Sequence, residues 1–128
     1  GVEHIERLQP AEVAARMDGG WCLVLPSRSE GLPRVILESF ARGRSVVASR
    51  VGGIADVVED GESGLLVEVG DEEALAAALI RVLSDRGLAA RLGADAHEAS
   101  RRLQLSPDDF AAHVRSLVDR TLAGSRSV

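Results

Sequence analysis

Apolar residues fall along this chain in two alternating kinds of block. Trp21-Cys22-Leu23-Val24-Leu25 is an unbroken apolar run between Gly20 and Pro26. Ser45 to Ser49 carries Val46-Val47-Ala48, and Leu65 to Val69 follows the turn residues Asp60-Gly61 and Gly64. Short continuous runs bounded by glycine and proline predict strands covered on both faces. Between them the spacing changes to three and four. Pro10 to Met17 predicts a helix with Ala11, Ala14 and Ala15 on one side and Gly19-Gly20 as its stop. Pro33 suits a first helical residue, Val35, Ile36, Leu37, Phe40 and Ala41 follow, and Gly43 caps the end. Gly52-Gly53 predicts a turn, and Ile54 to Val58 a short helix. Asp71 caps a long helix whose stripe is Leu75, Ala78, Leu79, Val82 and Leu83, with Glu72 and Glu73 in the favourable first turn. Helical spacing continues through Leu88, Leu92, Ala96, Ala99 and Leu103, and Ser106-Pro107-Asp108-Asp109 starts a last helix reaching Leu122. Val2 to Ile5 reads as a weak first strand.

Strand and helix in alternation imply right-handed crossovers and a parallel sheet of α/β type, a Rossmann-like sheet flanked by helices. Three good strands and one weak one make a thin sheet. The expectation is therefore a partial domain, residues 1–123, with its N-terminal strands missing and a frayed tail at 124–128. With 128 residues and only Trp21, Phe40 and Phe110 as aromatics, the core must be aliphatic, and Trp21 is expected within it. All 15 basic residues are arginine against 20 acidic ones, so no lysine nucleophile or P-loop lysine exists and nucleic acid is an unsuitable partner. Cys22, the single cysteine, can form no internal disulfide and reads as a small buried hydrophobe in a reducing compartment. No apolar stretch approaches the ~20 residues of a membrane span, and no signal peptide is read, so a cytoplasmic location is expected.

Ligands of open α/β sheets sit at the carboxyl ends of strands, where loops enter helix N-termini. The loop Pro26-Ser27-Arg28-Ser29-Glu30-Gly31-Leu32-Pro33 lies there, and the free amides of Arg34, Val35 and Ile36 would attract an anion. Glu38 stands eight residues after Glu30. At ~1.5 Å rise per helical residue the two carboxylates could lie about 10 Å apart with the anion-attracting helix end between them. Such a pair suits a diphosphate flanked by hydroxyl-bearing rings, since a carboxylate accepts two hydrogen bonds from vicinal hydroxyls. Solvated acids that favour the helix dipole are the plainer reading of the same residues.

The stretch Pro26-Ser27-x-x-Glu30-Gly31-Leu32-Pro33-x-Val35-Ile36-x-Glu38 resembles the C-terminal donor-binding domain of retaining GT-B glycosyltransferases. Gly43-x-x-Val46-Val47-Ala48-Ser49-x-Val51-Gly52-Gly53 and Asp60-Gly61-x-x-Gly64-Leu65-Leu66-Val67 extend the resemblance, which runs from Val2 to about Arg102. It implies that the chain holds a nucleotide-diphosphate sugar. Glu30 would face the donor sugar as the catalytic carboxylate, Gly31 and Leu32 would offer amides to the sugar, and Val35 and Ile36 theirs to the diphosphate. Glu38 would bind the ribose hydroxyls. Family chemistry is same-face substitution through an oxocarbenium-like state with no metal and no cofactor. In agreement, the chain has no Asp-x-Asp, and His4, His97 and His113 lack the spacing of a zinc site.

Departures accompany the resemblance. Family members clamp the diphosphate with an Arg and a Lys from the first part of this domain, which this chain does not contain. The acceptor-binding N-terminal domain is also missing, so no turnover is expected from the chain alone, and any membrane contact would belong to that half. The weak strand at Val2 to Ile5 would be the third of a 3-2-1-4-5-6 sheet, and Arg7 or Leu8 would border the base. Arg28 and Arg34 stand beside a possible phosphate, although an arginine next to a loop is more often a solvated surface residue. Gly52 and Gly53 read as turn formers, and the last helix could pack on the missing domain or on its own. Apolar surface left by the absent strands predicts a homodimer. Two rival functions remain: one half of a sugar-nucleotide epimerase, or a non-catalytic nucleotide-sugar-binding or interaction module.

Overall fold

A computed structural model of the chain describes residues 1–31, 33–103, 115–116 and 118–124. Its elements run α1 (Pro10–Gly19), β1 (Cys22–Leu25), α2 (Arg34–Ala41), β2 (Ser45–Ser49), α3 (Gly52–Val57), β3 (Gly64–Val67), α4 (Glu72–Ser84) and α5 (Arg86–Leu103). Residues 115–116 and 118–124 are helical as well. The remainder of the expected last helix, with Phe110 and Val114, lies outside the described residues.

The three strands form one parallel sheet in the order β1-β2-β3, with Leu23 opposite Val46 and Val47 opposite Leu65. Every residue of β2 is buried. Alternation along a strand then sends Val46 and Ala48 to one face and Val47 to the other. On the first face they join Ile36 and Phe40 of α2, Ile54 of α3, and Ala96 of α5. On the second, Val47, Leu65 and Val67 meet Ala78 and Val82 of α4 and Leu92 of α5. The apolar runs are continuous because both sheet faces are covered.

Local signals set the helix boundaries. Asp71 accepts a hydrogen bond from the Ala74 amide at 2.9 Å and caps α4 as its sequence position predicts. Gly43, at φ +68°, follows the end of α2 and turns the chain into β2. Pro33 serves as the N-cap of α2 rather than its first helical residue. The carbonyl end of α1 is held from β2's side: Arg44 donates to the Met17 and Asp18 carbonyls, and Arg42 pairs with Asp18 at 2.7 Å.

Two expectations are corrected here. Val2 to Ile5 forms no strand. In the anticipated strand order two strands stand between it and β1, so among the described residues it has no neighbouring ladder to join. Instead Val2 is fully exposed and Glu3 pairs with Arg16 of α1 at 3.0 Å, which holds the Glu3 carboxyl below its ordinary range. Trp21 is not core. It precedes β1 at the sheet's lower rim, is 37% exposed, and lies 5.1 Å beneath the Arg86 guanidinium. Cys22 is half-buried beside the second cluster, and burial pushes its thiol up from the ordinary value. Among the described residues no helix is long and apolar enough to cross a membrane.

Helix α5 approaches the α2–β2 turn closely because residue 93 is glycine. A Cβ there would lie 2.3 Å from the Gly43 carbonyl oxygen. Gly93→Ala is therefore expected to push α5 off the turn and cost roughly 1–3 kcal/mol. Urea denaturation should show the midpoint falling, and an unchanged midpoint would contradict this packing.

Candidate functional site

All three strands are parallel, so their carboxyl ends share one edge of the sheet and the loops leaving them lie side by side. The loop after β1 runs from Pro26 to Pro33 and enters α2. The loop after β2 is Arg50-Val51, leading to Gly52 and Gly53 at the start of α3. The loop after β3 runs from Glu68 to Asp71 and enters α4.

Glu30 is half-buried in the first loop, and the Ser27 hydroxyl donates to its Oε1 at 2.7 Å. A hydroxyl–carboxylate hydrogen bond of that length is charge-assisted and fixes the carboxylate's rotamer. Glu38 lies in the second turn of α2, exposed to solvent, while Ile36, Ser39 and Phe40 turn into the protein. Glu30 therefore precedes the start of α2 in the loop and Glu38 follows it within the helix.

The first-turn amides divide. Ile36 already donates to the Pro33 carbonyl at 3.1 Å, which removes it from the set of free donors. An anion at the Ile36 amide, as expected from the sequence, would share that donor with the Pro33 carbonyl. Arg34 and Val35 have no backbone acceptor for their amides among the described residues. Gly31 is exposed, and Leu32 lies outside the described residues. Arg28 and Arg34 are exposed, with no ion pair among the described residues. Leu8 faces a groove of about 250 Å³ between α1 and α2, with Val13, Met17, Leu23 and Val35, while Arg7 is exposed.

The second loop contributes more than a turn. The Gly53 amide donates to the Gly31 carbonyl at 2.8 Å, and Gly52 adopts φ +46° directly against the Glu30 carbonyl. Neither Ser27 nor the glycine pair stands out as a site residue in the sequence, although Ser27 lies three positions before Glu30, the spacing of a local side-chain contact. Arg50 closes the edge by pairing with Glu68 at 3.1 Å and Asp60 at 3.6 Å. The edge as a whole offers a fixed carboxylate, a helix N-terminus and an exposed second carboxylate, a combination suited to an anion flanked by hydroxyl groups.

Residues 1–85 match the family of proteins described as glycosyl transferases group 1. The chain belongs to that family. A glycosyltransferase of Methanocaldococcus jannaschii whose role is uncharacterised is 36% identical over 101 residues, 79% of this chain and 29% of that protein. Among solved structures, sucrose-phosphate synthase of Thermosynechococcus elongatus superposes with a TM-score of 0.78 at 31% identity, covering 94% of this chain and 30% of that one. A protein of Anabaena crystallised with UDP shares the fold, with a TM-score of 0.65 at 24% identity over 85% of this chain and 29% of the other. The group 1 chain is a C-terminal GT-B domain, an α/β unit with a parallel sheet flanked by helices. It spans less than a third of the length of the curated relatives it matches.

Removing the Ser27 hydroxyl should free the Glu30 carboxylate without loosening the sheet. In Ser27→Ala the Glu30 side-chain carboxyl carbon resonance is expected to move toward that of a solvated glutamate, while β2 amide resonances stay in place. An unmoved Glu30 resonance would contradict the bond.

Proposed function

We propose that this domain is the donor-binding part of a retaining glycosyltransferase that moves a sugar from a nucleotide-diphosphate sugar to an acceptor hydroxyl. The observation that carries the reading is the Glu30 carboxylate held by Ser27 at the entrance to α2, with Glu38 exposed one turn into the same helix. The group 1 family membership and the UDP bound to the structurally similar Anabaena protein support it.

In this reading Glu30 contacts the hydroxyls of the donor sugar near the anomeric carbon, and Gly31 and Leu32 offer amides to the same ring. Val35, with the neighbouring Arg34, directs its amide at the diphosphate. Glu38 accepts from the ribose hydroxyls. The bond from the anomeric carbon to the phosphate oxygen breaks as charge builds on the departing diphosphate, where the N-terminal end of α2 is electropositive. The acceptor oxygen bonds to the carbon on the face the diphosphate leaves, and the acceptor proton departs with the released nucleotide. No metal or cofactor is assigned a part. An N-terminal GT-B domain supplies the facing wall of the cleft and the acceptor, so the chain alone binds the donor without turning it over.

The two glutamates should separate in calorimetric titrations. Glu38→Ala is expected to weaken binding of a free nucleoside diphosphate by roughly tenfold or more, the loss of hydrogen bonds to a charged acceptor. Glu30→Ala should leave the free nucleoside diphosphate nearly unaffected and weaken the nucleotide sugar alone. Equal affinity of wild type and Glu38→Ala for the nucleoside diphosphate would overturn the assignment.

A further inference from the structure

We propose that Gly52 and Gly53 are positioning residues for the donor site, holding Glu30 from behind by its backbone. The inference rests on the donor-site reading above and deepens it. Two contacts join the turn after β2 to the loop after β1. The Gly53 amide donates to the Gly31 carbonyl at 2.8 Å. At Gly52 an added Cβ would sit 1.9 Å from the Glu30 carbonyl oxygen and 3.1 Å from its carbon. Real Cβ atoms do not approach an oxygen so closely, and the atoms met here belong to backbone that cannot swing aside as a side chain would. Gly52 also holds φ +46°, in the left-handed region that disfavours other residues. Space and backbone conformation thus independently demand glycine at this position.

The consequence falls on Glu30. Ser27 fixes its carboxylate from within the loop at 2.7 Å, and the glycine turn fixes its main chain from the neighbouring strand's loop. Between them the side chain is held at both ends on the rim where the donor sugar would lie. Other left-handed glycines provide a contrast. Gly61, at φ +82°, lies at the opposite end of β3, and a Cβ added there would meet nothing within 4 Å. A substitution at that position incurs the backbone strain without displacing any neighbour.

The test compares Gly52→Ala with Gly61→Ala in the 128-residue chain, using amide hydrogen exchange and titration with UDP and UDP-glucose, or with whichever of GDP, ADP and their sugars the wild type prefers. Gly52→Ala is expected to speed exchange of the Gly53 amide by on the order of tenfold or more, to shift the Glu30 carboxyl carbon, and to weaken UDP-glucose by about tenfold. Gly61→Ala should do none of these. Protected Val47 and Leu66 amides show that each variant keeps its sheet. If Gly52→Ala fails to fold, wild-type exchange of the Gly53 amide decides instead, protection like that of Val47 supporting the clamp and free exchange overturning it. Unchanged Gly53 exchange would overturn the clamp. Faster exchange with unchanged UDP-glucose affinity would overturn its positioning role. Wild-type chain that binds none of UDP, GDP, ADP and their sugars would overturn the donor-site reading, while Gly53 exchange and the Glu30 resonance would still decide whether the turn holds the loop.

Discussion

Burial of β2 on both faces is the constraint from which the rest of the domain follows. A strand whose five residues are all buried needs a layer of helices above and below and a paired strand on each side. Parallel neighbours joined by helical crossovers satisfy both conditions at once, the crossovers themselves supplying the covering helices. That arrangement brings all three carboxyl ends to one edge. The loops carrying Glu30, Gly52 and Glu68 become neighbours although they are far apart in sequence.

Much of this arrangement was legible because it is written locally. Ser45–Ser49 stands out as a strand because its apolar residues are contiguous and bounded by Gly43 and Gly52, and the strand has those limits. Asp71 announces α4 because a short acceptor side chain before Glu72 and Glu73 can do little else as well. Glu30 and Glu38 could be placed around the start of α2 because one chain segment, loop then helix, carries both. The resemblance of that segment to GT-B glycosyltransferases agrees with the family match. The roles of its individual residues are a proposal.

What the sequence concealed depends on contacts between segments. Gly52-Gly53 reads as a turn from its own neighbourhood, and nothing in its spacing reveals that the Glu30 and Gly31 carbonyls lie against it. Trp21 looked like core because it begins an apolar run. Yet the run starts one residue before the ladder, where a planar ring finds Arg86 rather than a covering helix. Val2 to Ile5 has strand composition, but strand formation requires a partner, and the chain offers none beside it. The bond from the Ile36 amide to the Pro33 carbonyl likewise depends on the geometry of the turn, which spacing alone does not show.

The central claim is that the start of α2, bracketed by Glu30 and Glu38, receives a nucleotide-diphosphate sugar. It is tested most directly by titrating the isotope-labelled chain with UDP, GDP and ADP and their sugars while following the backbone amides from Ser27 to Glu38. The account predicts saturable shifts concentrated on that segment and on Gly53, with one nucleotide preferred. Shifts absent for every nucleotide, or confined to the groove beside α1, would contradict it.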